Sequence, residues 1–314
     1  MASFAHALLK YSGVTGAALR WQARRLPILM YHGLCPDEWA GEPWMPSYFT
    51  SLGRFTEQMR FLRERLCPME LVEAVRALAA NRLPRHAAVV TFDDGYANNV
   101  TLAGPVLRDL GIPATIFVAT GHLSSGRLYN HDRVRLIRHW QRQAGEPPVT
   151  LDLRVSTVQT ANRTLDPLWE VLGARLTPRQ RESLRPMTWA ELAGAPPMVQ
   201  FGGHTVNHAI LSRETDADAE REMAESVEEL RARLRLPAGG FAYPNGQPAD
   251  YTEREARVLR RLDVPCAVTT SPGRNDRATS ILHLRRFPIT LGHDRAAFES
   301  ELAGVRSRLA RLAG

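Results

Sequence analysis

Six short apolar runs, separated by segments with helical periodicity, restrict the folds open to this chain. Strands that are apolar along their whole length, and not only at alternate residues, are typical of parallel sheets covered on both faces. Parallel strands need crossover connections, and these are almost always right-handed. We therefore predict an α/β fold whose parallel sheet is closed or partly closed into a barrel. The runs are residues 27–31, 87–92, 114–118, 199–201, 240–243 and 267–270.

Helical patterns fill the intervals between the runs. The clearest lies in residues 216–234, where Met223, Val227 and Leu230 recur at helical spacing. Acidic residues lie early in this segment and arginines late, as the helix dipole favours. Further helices are predicted at residues 55–65, 71–80 and 98–110, and after the capping pair Thr252 and Glu255.

The domain organisation follows from these elements. Residues 27–290 are predicted to form one domain. Residues 124–186 are polar and break the strand–helix alternation, so we predict an insertion beside the functional site, with helices at 133–143 and 167–175. The terminal segments, which we expect to be helices, are residues 1–26 and 291–314.

Composition narrows the range of partners. The chain has 314 residues and is 44% hydrophobic, which is enough to bury a full core. Its formal charge of +7 comes almost wholly from arginines scattered along the chain, without a nucleic-acid-binding module, so nucleic acid is not an expected partner. Three cysteines lie far apart in the sequence, which argues against a disulfide framework or a zinc–cysteine site.

The N-terminal residues bear on location. They show no basic region followed by a long apolar run, so we expect neither a secretion signal nor a membrane-spanning segment. The expected location is the cytoplasm or the cytoplasmic face of the membrane. Residues 4–25 have an amphipathic pattern that suits either a helix packed on the domain or a peripheral contact with a membrane surface.

Two adjacent carboxylates, Asp93 and Asp94, follow one of the apolar runs and precede Gly95. Like charges side by side are costly to bury unless a cation or hydrogen bonds compensate them. A metal ligand beside a general base would meet this requirement. The alternative is an ordinary acidic loop after a strand, in which both carboxylates lie in solvent.

Two histidines, His204 and His208, lie just beyond the run at 199–201. On a helical turn, side chains at i and i+4 face the same way, and two imidazoles with one carboxylate suit Zn²⁺ and related metals. No glutamate follows His204, which excludes the HExxH protease motif. Such pairs also occur at surfaces and in cores without a metal, so the spacing alone leaves both interpretations open.

Two further positions end predicted strands. His32 closes the first run, and Tyr243 begins a proline-containing turn. The turn is either a simple strand exit or a loop that presents the Tyr243 backbone N–H to a developing oxyanion. Because the carboxyl ends of parallel strands meet at one edge of the sheet, we expect His32 and Tyr243 to lie close to the candidate metal ligands. These ligands are Asp94, His204 and His208.

Three motifs together resemble a known family. TFDDG at 91–95, HTVNH at 204–208 and FAYPNG at 241–246 have the order and spacing seen in NodB-type polysaccharide deacetylases, carbohydrate esterase family 4. The resemblance covers residues 27–289 apart from the insertion. It implies a distorted (β/α)7-8 barrel and an enzyme that removes acetyl from an N-acetylated sugar of a polysaccharide or glycoconjugate. It also implies a divalent metal, with Zn²⁺ expected and Co²⁺ or Ni²⁺ as alternatives.

The resemblance assigns roles to individual residues. Asp93 would be the base that takes a proton from the attacking water, and the Tyr243 amide would stabilise the oxyanion. Many members carry an arginine in the third motif that orients the base. Ala242 stands in that stretch here, and we expect Arg286 to supply the role. The metal ligands would be Asp94, His204 and His208.

The catalytic acid has two candidates. Family members carry this histidine in a late Leu-x-His motif or, in circularly rearranged relatives, on the first strand. His283 follows Leu282 directly and matches the late motif poorly, whereas His32 resembles the rearranged pattern. We predict that His32 is the acid and keep His283 as the alternative.

Two other functions stay open. One is a metal-dependent hydrolase of another small amide or a cyclic imide on the same scaffold. The other is a non-catalytic glycan-binding relative, which the intact carboxylates and histidines disfavour. Trp140, Trp169 and Trp189 modestly favour a sugar substrate, because aromatic faces stack on pyranose rings.

Overall fold

The computed structural model describes residues 24–234 and 239–302, and a curled parallel sheet lies at its centre. The strands are β1 Ile28–Tyr31, β2 Leu34–Cys35, β3 Thr50–Ser51, β4 Cys67–Pro68, β5 Ala87–Phe92, β6 Ala114–Val118, β7 Val199–Gly203, β8 Phe241–Ala242, β9 Ala267–Val268 and β10 Phe287–Pro288. Seven of them follow one another, all parallel, in the order β10–β1–β5–β6–β7–β8–β9. Strand β4 pairs with the start of β5, and β2 pairs with β3.

The predicted α/β fold is confirmed. All six apolar runs contain strands of the main sheet. The edge strands β10 and β9 do not pair with each other within the described residues, so the sheet forms an open half-barrel of seven strands.

Helices surround this sheet. The α-helices of the described residues are α1 Leu52–Arg65, α2 Leu71–Ala79, α3 Gly104–Leu110, α4 Thr120–Ser125, α5 Asn130–Gln143, α6 Val158–Leu172, α7 Pro178–Leu184, α8 Trp189–Ala193, α9 Asp216–Leu234, α10 Glu253–Arg261 and α11 Arg295–Leu302.

Both faces of the sheet are buried, which explains why the strands are apolar throughout. In β5, Ala88, Val90 and Phe92 belong to a large cluster that includes side chains of α1 and α3. The alternate residues Ala87 and Val89 belong to a second cluster, which includes side chains of α2, β8 and β9. Successive side chains of a strand point to opposite faces, so a strand covered on both sides must be apolar at every position.

The helix predicted at residues 98–110 is divided. Asn99–Ala103 is π-helical, and the regular helix α3 begins at Gly104. Pro105, the second residue of α3, has no N–H to donate to a carbonyl of the preceding turn, so regular helical bonding is interrupted there. In the π-helical turn, the Asn99 side-chain amide donates to the His32 carbonyl at 2.6 Å.

The segment predicted to be an insertion carries α5, α6 and α7 and a small core of its own. Ile137 of α5 and Leu165 of α6 are both fully buried in that core. The helix predicted to begin at Pro167 begins earlier, at Val158, and Pro167 lies inside it. The start of α6 is stabilised by the Thr157 side chain, which accepts a hydrogen bond from the Thr160 N–H.

The predicted N-terminal helix lies almost wholly outside the described residues. Helix α11 lies within the predicted C-terminal helix, whose residues from 303 onwards are also outside the described part. The domain boundaries stay a prediction. Within residues 24–234 and 239–302, no helix combines the length and the apolar character that crossing a bilayer requires.

Gly202 of β7 permits a close approach of neighbouring groups. A Cβ there would lie 2.6 Å from the Phe117 ring and 2.7 Å from the Gly240 carbonyl oxygen. Gly202→Ala should therefore lower the free energy of unfolding by about 1–3 kcal/mol, because a buried ring or backbone must shift. Denaturant unfolding measures the effect. Gly41→Ala is the control, since a Cβ there meets nothing within 4 Å, and equal stabilities would contradict this account of β7.

Candidate active site

The carboxyl ends of the strands open into a cavity of about 450 Å³. Asn130 and His131 at the start of α5, together with several residues between 153 and 161, form a wall of it, so the insertion does border the site. The sheet brings together most of the residues singled out by sequence, as expected where parallel strands end. Those that line the cavity are His32, Asp93, Asp94, His204 and His208.

Asp93 is held by Arg286 through two hydrogen bonds. Nη1 and Nη2 of the arginine each lie 2.6 Å from one carboxylate oxygen, and both side chains are buried. The Thr269 carbonyl accepts from Arg286 Nε at 2.8 Å and fixes the guanidinium in turn. Burial would raise the pKa of Asp93, but the charge and hydrogen bonds of Arg286 outweigh it, and the net shift is downward. Asp93 is therefore an ionised carboxylate of fixed orientation at neutral pH.

Asp94, His204 and His208 form a compact group of ligand atoms. Asp94 Oδ1 lies 3.4 Å from His204 Nε2 and 3.2 Å from His208 Nε2, and the three ligand atoms are within 4.8 Å of one another. The backbone of Asp94 is left-handed, with φ of 71°, a conformation that is uncommon for a residue with a Cβ and typical of functional sites.

These atoms fit a divalent transition metal. Asp94 Oδ1 is buried, and no group in the described residues donates a hydrogen bond to it, which is costly unless a cation is bound. His204 Nδ1 lies 2.7 Å from the Ala242 carbonyl. Donation to that carbonyl places the proton on Nδ1 and leaves the Nε2 lone pair facing Asp94. Two imidazoles and one carboxylate, with further positions open, are a donor set of catalytic zinc sites.

The segment that carries the two histidines is a loop, not the helical turn expected from their spacing. Thr205 and His208 have left-handed backbones, with φ of 64° and 56°, which a helix does not allow. Glu222 of α9 holds the loop instead. Its carboxylate accepts from the backbone N–H groups of Val206 and Asn207 at 3.0 and 2.8 Å.

His131 lines the cavity although no motif singled it out. Its Nε2 lies 2.9 Å from the Tyr96 hydroxyl and 3.6 Å from Asp94 Oδ2. Its ring stacks on that of Tyr129, with centroids 5.3 Å apart, and the Tyr129 hydroxyl donates to the Asp94 carbonyl. The only sign in the sequence is a succession of four residues with polar groups, 129–132, just before a helical pattern.

The two candidate acids lie in different places. His32 lines the cavity, with its ring centroid 5.0 Å from that of Tyr48. Burial lowers the pKa of His32, although the nearby carboxylates of Asp94 and Asp93 oppose the shift. His283 is outside the cavity lining and stacks on the ring of Tyr251, with centroids 5.3 Å apart.

The Tyr243 amide is not placed as predicted. Its N–H donates across the sheet to the Val268 carbonyl at 3.2 Å, and its buried hydroxyl donates to the Leu282 carbonyl. A sheet hydrogen bond leaves this N–H nothing to offer an oxyanion, so that expectation was wrong. Asn245, two residues further along, does line the cavity with a left-handed backbone (φ 59°), and its backbone N–H has no acceptor among the described residues.

The three tryptophans that favoured a sugar substrate do not line the cavity. Trp140 and Trp169 pack on each other within the insertion, with ring centroids 5.7 Å apart. The Trp189 indole donates to the Ser124 hydroxyl at 3.0 Å. Trp140 is buried in a core cluster that also contains Trp44 and Leu184, so the number of tryptophans in the sequence says little about the ligand.

Comparison with known proteins agrees with this fold. The profile of a family described as polysaccharide deacetylase matches residues 80–266. YxkH of Bacillus subtilis (strain 168), which is named as a polysaccharide deacetylase, is 23% identical over 287 residues, or 90% of this chain and 77% of that protein. The structure of the deacetylase PplD of Streptococcus pyogenes in complex with acetate is 23% identical, with a TM-score of 0.59, over 88% of this chain and 98% of that chain.

A further solved structure, IcaB from Ammonifex degensii, is 19% identical, with a TM-score of 0.60, over 89% of this chain and 97% of that chain. The open parallel half-barrel is thus the fold shared with these structures, and the NodB-type resemblance is confirmed. The chain belongs to the polysaccharide deacetylase family and is a hydrolase of the sugar N-deacetylase class.

Proposed function

We propose that this protein is a metal-dependent hydrolase that removes acetyl from an N-acetylated sugar of a polysaccharide or glycoconjugate. The buried carboxylate pair carries the proposal: Arg286 neutralises Asp93, whereas Asp94 directs an unpartnered oxygen at two imidazoles. One carboxylate is ready to accept a proton, and its neighbour is ready to bind a cation. We expect Zn²⁺, with Co²⁺ or Ni²⁺ as alternatives, because the donors are two nitrogens and a carboxylate.

Asp93 is the proposed base. When bound, the metal would supply Lewis acidity, lowering the pKa of a water molecule and polarising the acetyl carbonyl. Asp93 accepts the proton of the attacking water, and its lowered pKa keeps it ionised for this task. Arg286 holds the carboxylate in place. The Asn245 amide, in place of that of Tyr243, is the backbone donor we assign to the oxyanion.

His32 is the proposed acid and completes the proton balance. It protonates the amide nitrogen as the C–N bond breaks, so that acetate leaves with one oxygen from water and a free amine stays on the sugar. His32 lines the same cavity as Asp93, which allows both proton transfers at one bound acetyl group. We further propose that the protein works in the cytoplasm or at the cytoplasmic face of the membrane.

Asp93→Asn should retain the metal and lose most turnover, because asparagine preserves the shape of the side chain but accepts a proton poorly. We expect kcat to fall by about 10²–10⁴-fold. Acetate release from N-acetylated glycans measures turnover, elemental analysis measures bound metal, and thermal unfolding shows whether Arg286 tolerates the loss of its charge partner.

Glu255→Gln is the matched control for this variant. Glu255 is also fully buried and paired with an arginine, Arg254, but lies on α10 outside the cavity. The Glu255→Gln variant should be less stable than the wild type, but its kcat should fall much less than that of Asp93→Asn. Unchanged turnover in Asp93→Asn would exclude Asp93 as the base.

His204→Ala and His208→Ala should each lose the metal, because each substitution removes one of the three proposed protein ligands. Dialysed protein is assayed for metal content and for recovery of acetate release on adding Zn²⁺. His139→Ala is the control, since His139 lies on α5 away from the cavity. Full metal occupancy in either ligand variant after dialysis would refute the assignment.

His32→Ala should keep the metal and lower kcat by about 10²–10⁴-fold, the usual contribution of a general acid. His283→Ala should keep a turnover close to that of the wild type, because its ring packs on Tyr251 outside the cavity. Side-by-side measurement of kcat and metal content distinguishes the two. The opposite result would move the acid to His283.

A further inference from the structure

A second cavity, of about 590 Å³, lies at the amino ends of β1 and β5. Its walls come from the segment before β1, the loop between α2 and β5, and the loop that follows β9. The candidate active site lies at the carboxyl ends of the same strands, so the two cavities occupy opposite edges of the sheet. We call this space the arginine cavity, and its charged lining residues are Arg24, Arg25, Arg82, Arg85, Arg277 and Asp276.

The arginine cavity carries unpaired positive charge. None of its arginines has a carboxylate within ion-pair distance in the part of the chain that the structure describes, whereas other exposed arginines, such as Arg260 and Arg261, pair with glutamates at 2.5 and 2.7 Å. Asp276 is engaged by its own loop, because its Oδ1 accepts from the Ala278 N–H and the Thr279 hydroxyl at 3.1 and 3.3 Å. Positive charges held together in this way attract an anion.

Arg274 adds a desolvated guanidinium to the same region. Its Nη1 donates to the carbonyl of Arg25 at 3.3 Å, whereas its Nε and Nη2 are buried and find no acceptor among the described residues. Burial, together with the charge of Arg25, lowers the pKa of Arg274 to about 10, which leaves it charged at neutral pH. Arg274 therefore adds positive charge directly behind the wall that carries Arg25, and that charge strengthens the attraction of the arginine cavity for an anion.

The walls of the arginine cavity are tied together by backbone hydrogen bonds. Leu26 and Asn275 exchange two of them, each 2.9 Å long, and the buried Asn275 side chain donates to the carbonyls of Leu26 and Arg285. These bonds join the segment before β1 to the loop after β9, so the backbone positions of Arg25 and Arg277 are fixed relative to each other. A preorganised group of this kind loses less entropy when a ligand binds.

We propose that the arginine cavity is a binding site for a phosphate group, either free or on a lipid headgroup. Guanidinium forks match the oxygens of phosphate and form paired, charge-assisted hydrogen bonds with them. A phosphate with more than one charge also uses several unpaired guanidiniums better than a single carboxylate does. The cavity is larger than one phosphate group, which leaves space for the atoms that carry it. This site does not rest on the proposed deacetylase chemistry.

The first test is isothermal titration calorimetry of the full chain with inorganic phosphate and pyrophosphate at physiological ionic strength. The variant is Arg82→Gln with Arg85→Gln, because both side chains are exposed and their loss should not unfold the protein. The matched control, Arg260→Gln with Arg261→Gln, removes the same charge from a salt-bridged surface. We expect wild type and control to bind with equal Kd and the variant to bind at least about tenfold more weakly, since it loses hydrogen bonds between charged groups.

A second arm distinguishes the source of the phosphate. Cosedimentation with phosphatidylglycerol vesicles, compared with phosphatidylcholine vesicles, should be lost only in the Arg82/Arg85 variant if a lipid headgroup is the ligand. Pyrophosphate binding without vesicle binding would identify a soluble phosphate compound. Equal binding by all three proteins, equal weakening in variant and control, or no binding to either probe would show a merely solvated basic surface and overturn the proposal.

Discussion

Two carboxylates that are adjacent in sequence and buried at the end of β5 determine what the surrounding elements must provide. Ionised in the interior, each needs positive charge or hydrogen-bond donors from elsewhere. Arg286 reaches Asp93 from the residue before β10, and two histidines reach Asp94 from the loop after β7. Strands β10 and β7 lie on opposite sides of β5 in the sheet, so the pair is held from both directions. Gly95 follows with φ of 74°, and a Cβ there would lie only 2.6 Å from Val118, which explains the glycine in this motif.

The fold and the candidate metal ligands could be predicted from the sequence, because both depend on residue type. A strand covered on both faces has to be apolar whatever its neighbours are, and the predicted bounds of β5 and β6 match the structure. Few residue types can bind a transition metal, so Asp94, His204 and His208 were recognisable by composition and order as a candidate metal site. Arg286 was found through the alanine that replaces an expected arginine in the third motif.

Other parts of the site depend on distances in the folded chain and had no local pattern. The Tyr243 amide was assigned wrongly because only the sheet register shows that its N–H is used by Val268. The histidine loop was taken for a helical turn because the Glu222 carboxylate, which replaces the helical bonds, lies on another element. His131 belongs to an insertion without strand–helix alternation, and its place against Asp94 follows from how α5 docks.

The bond between Arg286 and Asp93 joins residues 193 positions apart. Closing so long a loop costs chain entropy, and the packing gained when the segment that carries β10 docks on β1 must offset that cost. During synthesis on the ribosome, Asp93 leaves the exit tunnel long before its partner exists. Until residue 286 has been made, no guanidinium from that position can compensate Asp93, and the proposed base takes its fixed orientation only when the segment that carries β10 has docked.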